Sequence, residues 1–149
     1  FMRSVLAGRP ITIYGDGLQV RDVLYVEDLV DAFEQARLHA DVLRGRAFNV
    51  GGGVDNAVSL LELLEEMARA AGRRPQLAFD RWRTGDQRYY VSDVACFGAA
   101  TGWQPRTGVA DGLARLREWF ESDDFAPPVR EPRPAASHVA AVAAAGTRQ

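Results

Sequence analysis

Residues 11–28 read Ile-Thr-Ile-Tyr-Gly-Asp-Gly-Leu-Gln-Val-Arg-Asp-Val-Leu-Tyr-Val-Glu-Asp, and the change of rhythm inside this stretch decides the fold class. Ile11 to Tyr14 alternates and is rich in β-formers, which predicts a strand, and Gly15-Asp16-Gly17 closes it as a turn. A second extended run is expected from Arg21 to Val26. From Glu27 the period becomes helical. Leu29, Val30, Phe33 and Ala36 recur at three- and four-residue spacing, as on the buried face of a helix that ends near His39 to Leu43.

Working outward, Phe1 to Leu6 followed by Ala7-Gly8 reads as the end of a helix stopped by glycine, so further sequence is expected upstream. On the other side, Ala47 to Val50 reads as a short strand entering Gly51-Gly52-Gly53. Ser59 and Glu62 have capping-box spacing, and Leu60, Leu63, Leu64, Met67 and Ala71 supply the helix face behind them, up to Gly72. Gln76 to Phe79 is a further strand. Asp93 to Ala100 and Val109 to Phe120 are two helices separated by Gly102-Trp103-Gln104-Pro105. Alternating α and β elements with short loops predict an α/β fold with a parallel strand or two. Past Asp124 the composition turns to Pro, Ala, Arg and Ser without a buriable face, so a body over 1–124 and a disordered tail over 125–149 are expected.

With 149 residues, 47% of them hydrophobic, the chain can build a core. Its 18 basic and 20 acidic residues nearly balance, which argues against a nucleic-acid or membrane-surface binder. Every basic residue is an arginine, and no lysine occurs anywhere, so lysine Schiff-base, P-loop-lysine and Tyr–Lys chemistry is excluded within this chain. Cys96 has no partner for a disulfide or at metal-ligand spacing and is expected to be buried and inert. No apolar run reaches membrane-span length and no leader pattern opens the chain, which reads as cytoplasmic. His39 and His138 have no acid or nucleophile near them in sequence and read as structural or incidental.

Three segments are candidates for chemistry. The glycine run 51–53 after a strand resembles a phosphate turn, but the dinucleotide pattern wants glycine where Asn56 stands, and the capping box already satisfies the next helix. A plain strand-to-helix connection is the simpler reading. The loop Gly15 to Asp22 is either a solvated turn with an Arg–Asp pair or a binding loop. In Arg81-Trp82-Arg83-Thr84-Gly85-Asp86-Gln87-Arg88, guanidinium forks suit phosphate and a carboxylate suits the hydroxyls of a ribose. A surface salt-bridge loop is the alternative.

In this order, the segments Ile11 to Gly17, Gln19 to Asp28, Phe48-Asn49-Val50-Gly51, and Trp82 to Asp93 followed by Gly102-Trp103-Gln104-Pro105 resemble the C-terminal half of the extended short-chain dehydrogenase/reductase family, the NAD-dependent sugar-nucleotide epimerases and dehydratases. The CDP-paratose 2-epimerase branch is the nearest in pattern. The resemblance covers most of residues 1–121. It implies the substrate-binding part of a Rossmann-type enzyme whose N-terminal dinucleotide-binding half is absent here. It further implies NAD as the cofactor of the full-length parent but not held tightly by this chain, a nucleotide-diphosphate sugar as ligand, and a homodimeric parent. Carried over position by position, Arg21 and Arg83 match arginines that hold the pyrophosphate. Asp86 matches the acid on the ribose hydroxyls, and Thr12 and Tyr14 lie on the strand beside the base. The segment Tyr25 to Asp28 and the strand Phe48 to Val50 match pieces that pack on the Rossmann domain. The family's N-terminal glycine-rich turn and Tyr-x-x-x-Lys pair are missing, so no catalytic residue is assigned. A 4,6-dehydratase or 4-epimerase fragment, a stand-alone nucleotide-binding module using Gly51 to Gly53, and an interaction domain whose arginines meet an acidic partner are the competing readings.

Overall fold

A computed structural model describes residues 1–122; the expected tail and His138 lie outside them. The chain runs α1 (Met2–Leu6), β1 (Ile11–Tyr14), β2 (Val20–Asp22), α2 (Val26–Leu38), α3 (Ala40–Leu43), a 3-10 turn (Val54–Asn56), β3 (Ala57–Ser59), α4 (Leu60–Ala71), β4 (Leu77–Asp80), β5 (Tyr89–Tyr90), α5 (Ala95–Thr101) and α6 (Val109–Glu121). β1 and β4 pair in parallel with Ile11 opposite Leu77 and Tyr14 opposite Asp80. A second small sheet has β2 at its centre, antiparallel to β3 and parallel to β5. The α/β class expected from the alternation is what forms.

The apolar side chains gather in two places. Met2 and Val5 of α1, Ile11 and Ile13 of β1, Leu64 and Met67 of α4, and Leu113 of α6 form the larger cluster. Helix α4 forms where expected because both its ends are determined locally. The Ser59 hydroxyl accepts from the Glu62 N–H at 3.2 Å while the Glu62 carboxylate accepts from the Ser59 N–H at 2.8 Å, and Gly72 closes the helix in the left-handed region at φ 67°. The smaller cluster holds Ala32, Phe97 and Trp103, with Phe48 edge-on to Phe97 at 5.9 Å and Phe97 edge-on to Trp103 at 5.5 Å. Buried Asp28 ties the 102–107 connection to α2. Its Oδ2 accepts from the Arg106 N–H at 3.2 Å and the Thr107 N–H at 2.9 Å, and its main-chain oxygen accepts from Trp103 Nε1 at 3.2 Å.

Several expectations need correction. Residues 47–50 form no strand; they pack Phe48 and Val50 on the smaller cluster, but no neighbouring strand among the described residues offers them a ladder, and a strand exists only through such pairing. The second extended run is a strand only over Val20–Asp22, the length along which β3 and β5 lie beside it. β3 and β5 were not expected, because two or three residues carry too little periodicity to be read. In α2, Ala32 and Asp28 point inward, whereas Val30 and Phe33 are 57% and 65% exposed. The helix has an apolar stripe on each side, and only one is covered by the described residues. Cys96 is exposed, since its neighbour Phe97 takes the inward position on α5 and adjacent helical residues project about 100° apart.

Candidate functional site

On β1 the period of two sends Ile11 and Ile13 into the core and turns Thr12 and Tyr14 to the other face. Thr12 is exposed there, and the Tyr14 ring carries the Arg83 guanidinium 3.6 Å above its centroid. The register explains the meeting. β4 ends at Asp80 directly beside Tyr14, so the loop that leaves it starts at the edge of β1. Trp82 covers Gly15, whose φ of 89° only glycine adopts freely and where a Cβ would collide with the indole. Arg88 lies 5.2 Å from the Trp82 ring centroid. Gly85, at φ 87°, lets the loop turn so that the Asp86 N–H donates to the Arg83 carbonyl at 3.2 Å. The chain then enters β5 beside β2, with Val20 opposite Tyr89. Residues 81–88 thus bridge the two small sheets.

Arg21 projects from β2 into this seam. Its Nη1 donates to the Val20 carbonyl and its Nη2 to the Gln87 carbonyl, both at 2.6 Å, leaving further N–H groups of the five-donor fork unassigned. A cavity of about 180 Å³ opens beside it, lined by Gln19, Arg21, Val58, Ser59, Asp86 and Gln87 among others. The structure therefore brings Arg21 and Asp86 to one cavity. Arg83 is not in its lining. It stands on Tyr14, one tight turn away from Asp86. Thr12 is two residues farther along the same face of β1, also outside the cavity wall.

The neighbouring aspartate does something else. An Arg21–Asp22 pair in a solvated turn was one reading of this loop, but consecutive residues of a strand face opposite ways, and Asp22 points to the glycine run. Burial by itself raises its carboxyl pKa; the Gly53 N–H at 3.1 Å, the Ser92 hydroxyl and the Ser92 N–H all donate to it, and the net result lies below the ordinary aspartate value. Gly51 to Gly53 are buried in this contact. A Cβ on Gly51 would strike Ser92 and Asp22, and one on Gly52 would strike the Val23 carbonyl. The run leads into the 3-10 turn and β3, not straight into an α-helix, and its last amide, the Gly53 N–H, is taken by a carboxylate of this chain. The residues present therefore do not fit a dinucleotide pyrophosphate. The glycines form a connection, but not the strand-to-helix one expected: no strand precedes them, and the 3-10 turn and β3 intervene before α4.

Two residues in the quoted stretch play parts their sequence positions did not disclose. Asp28 is a buried clamp, not only a packing piece. Gln19 donates its amide to the Tyr14 carbonyl at 3.1 Å and lines the cavity; its place two residues before Arg21, on the same face of an extended chain, is the signal that points to it. Among the described residues no group of three or more His, Cys, Asp or Glu is placed to hold a metal ion, and no helix is long and apolar enough to cross a membrane.

Residues 1–51 match the model of the NAD dependent epimerase/dehydratase family. Over 117 residues the chain is 38% identical to CDP-paratose 2-epimerase of Salmonella typhi, covering 76% of this chain and 34% of that protein. It is also 38% identical over 122 residues to UDP-glucose 4-epimerase of Mycolicibacterium smegmatis, covering 82% and 38%. The chain thus spans about a third of the length of these curated relatives. Among solved structures, MoeE5 in complex with UDP-glucuronic acid and NAD superimposes with a TM-score of 0.69 at 36% identity, over 80% of this chain and 39% of that one. UDP-glucose 4-epimerase of Thermotoga maritima with UDP-glucose gives 0.70 at 27%, over 80% and 37%.

Proposed function

The chain belongs to the NAD-dependent epimerase/dehydratase family of extended short-chain dehydrogenases/reductases, and on that footing we propose that it is the part of such an enzyme that grips the nucleotide diphosphate of a nucleotide sugar, without itself holding NAD or performing the hydride chemistry. The observation that carries this reading is the meeting of Arg21 and Asp86 at one cavity, whose wall the 81–88 loop helps to form, while the same loop sets Arg83 on Tyr14 outside that cavity. Charge-assisted hydrogen bonds from a guanidinium suit the diphosphate, an anionic acceptor suits ribose hydroxyls, and the Thr12–Tyr14 face offers a strand edge and a ring to the base. The ligand class comes from the relatives, which are epimerases and dehydratases of nucleotide sugars.

Two further features fit a partner half. The cavity's 180 Å³ falls short of the roughly 300–1,000 Å³ of a complete small-molecule site, as one wall of a cleft would. Val26, Val30 and Phe33, four and three residues apart on α2, stand exposed as an apolar stripe, the kind of surface another body covers. In this reading that body is the dinucleotide-binding half, which supplies NAD and the catalytic pair. NAD would there take a hydride from the sugar and return it; what this chain contributes is the anchoring of the nucleotide, binding energy spent on placing the sugar. The rival module built on Gly51 to Gly53 is disfavoured, because the Gly53 amide is taken by the Asp22 carboxylate and the run is packed against Ser92 and Val23.

Calorimetric titration of the 149-residue chain with UDP, CDP, dTDP and NAD tests the assignment. A pyrimidine nucleoside diphosphate is expected to bind, NAD to bind far more weakly, and UDP-glucose with added NAD to remain unconverted. Tight NAD binding, turnover by the isolated chain, or no binding of any diphosphate would overturn it.

A further inference from the structure

The face of the Tyr14 ring is already occupied, by this chain itself. The Arg83 guanidinium lies over it with Cζ 3.6 Å from the ring centroid, which is van der Waals contact, so no second planar group fits between them. That ring is all that holds the guanidinium: it makes no hydrogen bond and no ion pair with any described residue. Its donor fork is turned to solvent, one short turn from the cavity that Arg21 and Asp86 line. The hold is weak and the way out is open. An exposed cation–π contact changes an equilibrium only a few-fold. Arg83, Thr84, Gly85 and Asp86 are all exposed, and a Cβ on Gly85 would meet nothing within 4 Å. At its root the loop is pinned by Trp82 on Gly15, so the Arg83 side chain can leave the ring while the loop stays in place.

We propose that Arg83 is a self-held plug on the Tyr14 ring and that an anion in the Arg21–Asp86 cavity releases it, which couples phosphate binding to the opening of the ring for a base. This rests on the nucleotide-binding assignment above and adds an order to it. A charge-assisted bond to phosphate is stronger than an exposed cation–π contact, so an anion beside Arg21 draws the guanidinium toward the cavity. A neutral base arriving alone has to displace it unaided. The base by itself therefore binds less well than its contact with the ring warrants, and the phosphate removes that handicap. The coupling is reciprocal: a base on the ring favours phosphate by the same factor.

The test follows the intact chain by NMR with inorganic pyrophosphate, uridine and cytidine as probes. In the free chain the Arg83 side-chain protons are expected upfield, shifted by the Tyr14 ring, and pyrophosphate is expected to return them to ordinary arginine positions. Pyrophosphate should also strengthen the better-bound nucleoside by about two- to fivefold, the worth of the contact being released. In Arg83→Gln, which lacks the charge, the nucleoside alone should bind tighter by that factor, and pyrophosphate should no longer strengthen it. Arg83 protons that keep their upfield position with pyrophosphate or UDP bound would mean that the guanidinium stays on the ring, and would overturn the inference. Equal nucleoside affinity with and without pyrophosphate, no nucleoside binding in either state, or the same coupling in Arg83→Gln would overturn it too. If neither pyrophosphate nor UDP binds the unaltered chain, the site assignment itself fails and takes this inference with it.

Discussion

Replacing Asp28 by alanine is expected to cost much more than replacing it by asparagine, and the reason lies in which oxygen is used. Both loop amides, Arg106 N–H and Thr107 N–H, donate to the same carboxylate atom, Oδ2, while the bond from Trp103 Nε1 goes to the main-chain oxygen and survives any substitution. Alanine strands two donors. Each stranded buried donor costs about 1–3 kcal/mol, and because these contacts are only part-buried the lower half of that range applies, giving about 3 kcal/mol in all. At roughly 4 °C per kcal/mol for a body of this size, the melting temperature should drop by about 12 °C. Asparagine can set its single carbonyl oxygen where Oδ2 sits and keep both bonds, losing only their charge assistance, so its cost should be near 1 kcal/mol. Thermal and urea unfolding of the three proteins, with amide hydrogen exchange at Arg106 and Thr107, measures the difference. An alanine variant within 1 kcal/mol of the parent, or an asparagine variant as damaged as the alanine one, would refute the clamp.

Arg21→Ala should weaken nucleoside diphosphate binding by roughly ten- to a hundredfold, and Arg83→Ala by less, because Arg83 must first leave the Tyr14 ring at a cost of about 0.5–1 kcal/mol; a calorimetric titration in which Arg83→Ala is the worse variant contradicts this order. Asp22 has a folded-state pKa below its unfolded one, so its contribution to stability is fully present above the unfolded value of about 3.9 and is lost as pH falls through the folded one. Urea midpoints between pH 6 and pH 2.5 should therefore fall less steeply for Asp22→Asn, and identical slopes would count against the Gly53 and Ser92 contacts. Phe33→Ser should leave the unfolding free energy within about 0.5 kcal/mol of the parent and reduce binding of an apolar dye; a large loss of stability would mean that Phe33 is covered by this chain.

Long-period signals survived the passage from sequence to structure and short or tertiary ones did not. The helix α4 was legible because caps and apolar face lie within a dozen consecutive residues. The strand β1 was legible because four alternating residues suffice to mark a face. The opposite faces of α2 were not: Val30 and Phe33 have the spacing of core residues and lie on an uncovered side, and no local rule tells one apolar stripe from another when each needs a different neighbour. For the site, residue types pointed to Arg21, Arg83 and Asp86, yet only the parallel register of β4 on β1 places the 81–88 loop against Tyr14, a pairing across more than sixty residues. The destinations of Asp22 and of the Gln19 amide depend on contacts 31 and 5 residues away, and such contacts leave no mark in spacing.

The apolar interior comes in two separate clusters, one around β1, α1, α4 and α6 and one around Phe97 and Trp103, and the seam between them is stitched by polar contacts. The Asn56 side chain donates to the Thr107 carbonyl at 3.1 Å, Val23 N–H donates to the Asn56 carbonyl at 3.0 Å, and Asp28 and Asp22 hold their loops on either side. Apolar contact binds diffusely, whereas a hydrogen bond is lost within a fraction of an ångström. Cooperative unfolding of the two halves as one unit therefore hangs on a few directional bonds. The Phe97–Trp103 cluster, with three buried residues among those described, is expected to open first, and its amides should exchange through a sub-global opening well below the free energy needed to unfold α4.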